Sequence, residues 1–121
     1  MNNNFIFVLM EDVPCEFGQT MGVFTDETEA RKEAIDLARA INPEYVRLEK
    51  WEPNGVYFWA ECLNKNFEWQ REIDFRYKDG SIAVSTVSSL LPIQVTTNFA
   101  GKSVNFEFQL DENCKPFYQE V

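Results

Sequence analysis

The sequence predicts an α+β fold, with one helix packed on a largely antiparallel sheet of about seven to nine short strands. Two observations predict it. Only one stretch, Asp26–Ile41, carries a sustained helical period with start and stop signals. The remainder breaks into short alternating or continuous apolar runs separated by Gly, Pro, Asn and Asp. With 121 residues, 45% hydrophobic content and 11 Phe, the chain is expected to form a single domain over residues 1–121, needing neither disulfides nor metals. A boundary near Asn54-Gly55 is the alternative, but it would leave two uncomfortably small halves.

Phe5–Met10 is a continuous apolar run closed by Glu11-Asp12-Val13-Pro14 and reads as a buried strand. Met21–Phe24 is a second short strand. The helix follows at once. Thr25 or Asp26 caps it, with Asp26-x-x-Glu29 or Thr25-x-x-Thr28 as the reciprocal pair, and Asp26, Glu27 and Glu29 suit the positive end of the helix dipole. Ala30, Ala34, Leu37, Ala38 and Ile41 fall on one face, and Asn42-Pro43 stops the helix.

Strands then succeed one another. Tyr45–Trp51 turns through Pro53-Asn54-Gly55 into Val56–Leu63, and Asn64-Lys65-Asn66 makes the next turn. In Phe67–Lys78, the residues Phe67, Trp69, Arg71, Ile73, Phe75 and Tyr77 share one face, and Arg71 alone interrupts its apolar character. Asp79-Gly80 leads into Ser81–Ser88 as a meander. Ile93–Phe99 and Val104–Leu110 follow, the latter with Val104, Phe106, Phe108 and Leu110 on one side. Pro116–Val121 is expected to pair back across the Asp111–Lys115 turn.

Charge narrows the partner. Twenty acids against eleven bases give a net −9, a field that repels nucleic-acid phosphates and anionic membranes. Direct nucleic-acid or membrane binding is therefore not expected, whereas a basic protein partner is compatible. Cys15, Cys62 and Cys114 are odd in number and widely spaced, which fits reduced thiols. The first residues carry no basic group, and the run Phe5–Met10 is too short for a signal-peptide core, so a cytoplasmic location is expected.

The absence of histidine removes Ser-His-Asp and Cys-His activation and the commonest zinc ligand. No phosphate loop, dinucleotide fingerprint or Cys-x-x-Cys spacing is present. Glu11-Asp12 and Asp111-Glu112 are adjacent carboxylates without further ligands at a defined spacing, and turn chemistry explains both. No catalytic, cofactor or metal role is assigned.

The remaining feature is aromatic and acidic. Trp51, Trp59 and Trp69 fall on neighbouring strands, where core and sheet-face packing is the plainer account of them. The sharper expectation sets Trp51 and Trp59 as anchors within an acidic surface formed by Glu44, Glu49, Glu52, Glu61, Glu68, Glu72 and Asp74 on outward strand faces. Such a surface would present carboxylates much as a nucleic-acid backbone presents phosphates.

The segment Met21-Gly22-Val23-Phe24-Thr25-Asp26-Glu27-Thr28-Glu29-Ala30 resembles one common in small bacterial and phage proteins, a strand ending Gly-Val-Phe that enters a capped, Glu-rich helix. In general character the chain is similar to toxin immunity proteins and to phage inhibitors of host defence, including anti-CRISPR-type proteins. The resemblance implies a non-enzymatic inhibitor that blocks a basic nucleic-acid-handling protein, such as a nuclease or toxin. A structural protein assembling into a homo-oligomer through unpaired sheet edges is the alternative.

Overall fold

Helix α1 runs over Glu27–Ala40, with Asp26 as its N-cap and Ile41 as its C-cap. The Asp26 carboxylate accepts a hydrogen bond from the Thr28 amide at 3.1 Å, a cap worth about 1 kcal/mol. Ala30, Ala34 and Ala38 form the buried face. Three alanines in that register let the helix backbone approach its sheet closely, and a larger side chain there would overpack the contact.

The computed structural model describes residues 4–88, 93–112 and 116–121. Among them the fold is α+β: one helix and nine strands, mostly antiparallel. The strands are β1 (Ile6–Glu11), β2 (Gln19–Phe24), β3 (Val46–Trp51), β4 (Tyr57–Leu63), β5 (Trp69–Arg76), β6 (Ile82–Ser88), β7 (Gln94–Phe99), β8 (Lys102–Leu110) and β9 (Pro116–Glu120). Each lies within about two residues of its sequence expectation. The Cys114 thiol and most of the Asp111–Lys115 turn fall outside the described residues.

The chain divides into two compact units, Met1–Gln70 and Arg71–Val121. The division does not fall at Asn54-Gly55, because that turn joins the tightly paired strands β3 and β4. In the first unit, β2, β1, β3 and β4 lie side by side in that order, each pair antiparallel. Phe7, Leu9, Val46, Leu48, Trp59 and Leu63 face the alanine stripe of α1 and form one core with it. Alternation sends Ile6, Val8, Met10, Arg47, Glu49 and Trp51 to the opposite face.

The second unit has the order β5, β9, β8, β7, with β6 also paired to β5. Its core is aromatic: Ile73, Phe75, Phe106 and Tyr118, with Tyr77 and Phe108 against them. Phe75 stacks on Tyr118 at 5.4 Å and meets Phe106 edge-on at 5.1 Å, geometries that add stabilisation beyond burial alone. β8 and β9 are antiparallel as expected, with Leu110 opposite Pro116. The pairing of β5 with β9 is parallel, a non-local contact that no turn residue announces.

The β7–β8 hairpin pairs Phe99 with Lys102, leaving Ala100 and Gly101 as its two-residue turn. Both hold positive φ, 51° and 78°. This turn geometry matches the twist of the flanking strands but suits Asn-Gly better than Ala-Gly.

Candidate interaction surface

In a strand, residues two apart share a face. On β4 this rule turns Trp59, Glu61 and Leu63 together toward α1. Glu61 is 1% exposed, and its carboxylate accepts from the Arg31 guanidinium at 2.8 Å. Arg31 also donates to Glu27, one helical turn earlier, at 2.9 Å, and lies 4.7 Å from the Trp69 ring and 5.4 Å from that of Trp59. Glu27 has a second cation near it, the Lys50 ammonium at 4.0 Å. That ammonium sits 4.0 Å from the Phe5 ring and 5.3 Å from Phe58. Two cations, two carboxylates and a wall of aromatic rings thus join helix and sheet. A charged residue survives burial only with such partners.

The expectation that Trp59 and Glu61 stand outward as partner-binding residues is corrected by this arrangement. Both point to the interior of the first unit, and their role there is packing and ion pairing.

Glu49 and Trp51 do lie on the face away from the helix. The Glu49 carboxylate accepts from Arg47 Nε and from Trp51 Nε1, each at 3.1 Å, and Trp51 meets Tyr57 edge-on at 5.4 Å. Arg47 lies against the Glu49 charge, so this group contributes an aromatic and polar platform rather than a free acid. Glu52 is half-buried at the end of β3, and Glu72 and Asp74 are half-buried on β5 in the second unit. Glu44 and Glu68 are exposed in turns, where the Glu68 carboxylate accepts from Asn64 at 3.1 Å.

Exposed negative charge gathers elsewhere. Antiparallel pairing brings three connections to one end of the first unit's sheet: the β1–β2 loop, the 3-10 turn Pro43–Tyr45 before β3, and the turn after β4. The Asp12 amide donates to the Tyr45 carbonyl at 2.6 Å, tying the first two together. Asp12 and Glu16, Glu44, and Glu68 are the exposed acids of these connections, with Lys65 as the exposed cation. Phe17, in the β1–β2 loop, is fully exposed. It follows a tight turn over Val13–Glu16 in which Cys15 holds φ +66°. A lone aromatic between an acid and a glycine carries no periodic signal, which is why sequence reading passes over it.

The cations of this unit are largely engaged. Arg31, Arg39, Arg47 and Lys50 each lie against a carboxylate. Eight of its acids are exposed against three cations, Lys32, Arg39 and Lys65. In the second unit, a shallow recess is lined by Tyr77, Lys78, Asp79, Lys102, Val104 and Glu120. There Glu120 accepts from the Lys78 amide at 2.7 Å. Ser81 donates twice to Asp79 and holds its carboxyl below the ordinary range.

Among the described residues, no group of three or more acidic or cysteine side chains is arranged to hold a metal ion. Nor, among these residues, is any helix long and apolar enough to cross a membrane. Cys15 is an exposed free thiol, and Cys62 lies half-buried on β4. No family model, curated protein or solved structure matches this chain.

Proposed function

We infer that the protein is a non-catalytic binding protein of the cytosol. In this reading it inhibits a basic nucleic-acid-handling protein, in the manner of anti-CRISPR-type inhibitors or toxin immunity proteins. One observation carries the reading. The acid-rich end of the first unit presents Asp12, Glu16, Glu44 and Glu68 beside the exposed ring of Phe17, while most cations of that unit are already paired. A surface of this kind favours encounter with a basic partner through its field, and an aromatic anchor limits dissociation. The anchor is Phe17 rather than Trp59, which is buried.

The test is capture on the immobilised full chain from host lysate, washed at low and at high salt, followed by an activity assay on whatever is retained. A basic protein released by salt, whose action on nucleic acid stops at a one-to-one ratio, supports the reading. Replacing Asp12, Glu16, Glu44 and Glu68 with their amides should weaken that association by at least about tenfold and flatten its salt dependence. Retained proteins whose activity is untouched, or binding indifferent to these four substitutions, overturn it.

A further inference from the structure

Strand β2 closes one side of the first unit's sheet, and no other strand pairs with it on its far side among the described residues. Its sequence, Gln19-Thr20-Met21-Gly22-Val23-Phe24, contains no charge and no proline, two of the devices that blunt an exposed edge. Its one irregularity is a β-bulge at Met21, after which Gly22, Val23 and Phe24 run in regular register. Met21 and Val23 are 44% and 63% exposed, and Phe17 stands fully exposed just before the strand. Gly22 is no weak point, since the Phe24 ring lies across it: a Cβ there would meet ring atoms at 2.8 Å. A row of backbone donors and acceptors is thus flanked by apolar side chains.

Charge decides what fits against it. The end of β2 at Gln19 adjoins the loop carrying Asp12 and Glu16, and the end at Phe24 leads into Asp26 and Glu29. A second copy of this chain paired edge to edge would bring acid against acid in either direction, antiparallel or parallel. A strand with basic residues at both ends would find complementary charge along the whole length. We propose that β2 is a docking edge that accepts an extended, lysine- or arginine-bearing segment of the partner as an added strand, with Phe17 anchoring one end. Backbone pairing then supplies affinity, and the flanking acids select for positive charge.

The proposal rests on the binding function inferred above, and its test separates the two. The isotope-labelled full chain is titrated with a short peptide alternating lysine and valine, and in parallel with one alternating glutamate and valine. The lysine peptide should move the amide resonances of Gln19–Phe24 and leave those of α1 in place, while the glutamate peptide moves neither. Phe17→Ala and Val23→Lys should each weaken the lysine peptide by about tenfold without disturbing resonances elsewhere. Shifts confined to α1 or to residues 71–121, equal binding of both peptides, or a dimer that Val23→Lys dissociates would each overturn the proposal. If a basic protein captured from lysate binds Val23→Lys and Phe17→Ala unchanged yet is lost on neutralising Asp12, Glu16, Glu44 and Glu68, the docking edge is wrong and the binding function stands.

Discussion

The two units solve the problem of a small core differently. The first pairs a polyalanine helix face with aliphatic and aromatic strands and admits charge to its interior. The second has no helix among its described residues and relies on a ladder of rings. The charge balance differs as sharply: Met1–Gln70 holds thirteen acids and six bases, and Arg71–Val121 seven and five. Their arginines make the contrast concrete. Arg31 is held by two carboxylates and two indole rings. Arg76 rests on the Phe117 ring at 4.2 Å, and its buried Nε has no hydrogen-bond partner among the described residues. Charge that is fully partnered becomes a fastening between layers, whereas charge that is only stacked remains a tolerated passenger.

The largest expected effect falls on the ring ladder. Phe106 is fully buried against Phe75 and Tyr77, so Phe106→Ala should cost about 4 kcal/mol. Proteolysis should then cut residues 71–121 sooner than in the parent chain. Next, Arg31→Met leaves Glu61 buried without its cation and should destabilise the first unit by about 3 kcal/mol in denaturant unfolding. Combining it with Glu61→Leu should recover most of the loss. The same change in the second unit, Arg76→Met, should stay within about 1 kcal/mol of neutral, because it removes an unsatisfied donor and keeps the stacked chain. A loss there as large as that for Arg31→Met would erase the distinction between the two arginines.

A smaller gain is expected at the β7–β8 turn. Ala100 holds a left-handed backbone that Asn tolerates better, so Ala100→Asn should stabilise by roughly 0.5–1 kcal/mol, seen as a modest rise in Tm. The smallest effect is a pH dependence at Tyr118. Burial raises its phenol above the ordinary 10.0. The folded state therefore keeps its proton after the unfolded state has begun to lose it. Stability from this group is complete below pH 10.0 and declines as the pH climbs past it. Tyr118→Phe should remove that part of the alkaline loss.

Much of this fold was legible because it is local. Asp26, the alanines at 30, 34 and 38, and Asn42-Pro43 mark the helix within one residue at each end. Alternation marks β5 and β8. The buried acid was not legible, although the rule that exposes it is simple: Trp59 and Glu61 occupy the same parity on β4. Treating a carboxylate as outward by default hides this, since the tertiary position of Arg31, thirty residues earlier, is what brings a cation to the buried group. The parallel partnership of β5 with β9 escaped for the same reason, being a choice of sheet order rather than of sequence pattern. Glu49 and Trp51 lie half-buried on the face away from α1, and their mutual hydrogen bond and the nearby Arg47 depend on side-chain geometry that spacing does not encode. Phe17 belongs to no repeat at all.

All three tryptophans, Trp51, Trp59 and Trp69, belong to the first unit, and the second contains none. Indole emission is therefore a reporter of that unit alone, with Trp59 and Trp69 reading the environment around the Arg31 guanidinium. Circular dichroism at short wavelengths averages over every strand. Melting curves recorded by the two methods on one sample will coincide if the whole chain unfolds in a single cooperative step. They will separate if the ring ladder lets go on its own, giving a label-free measure of how far the two halves share their fate.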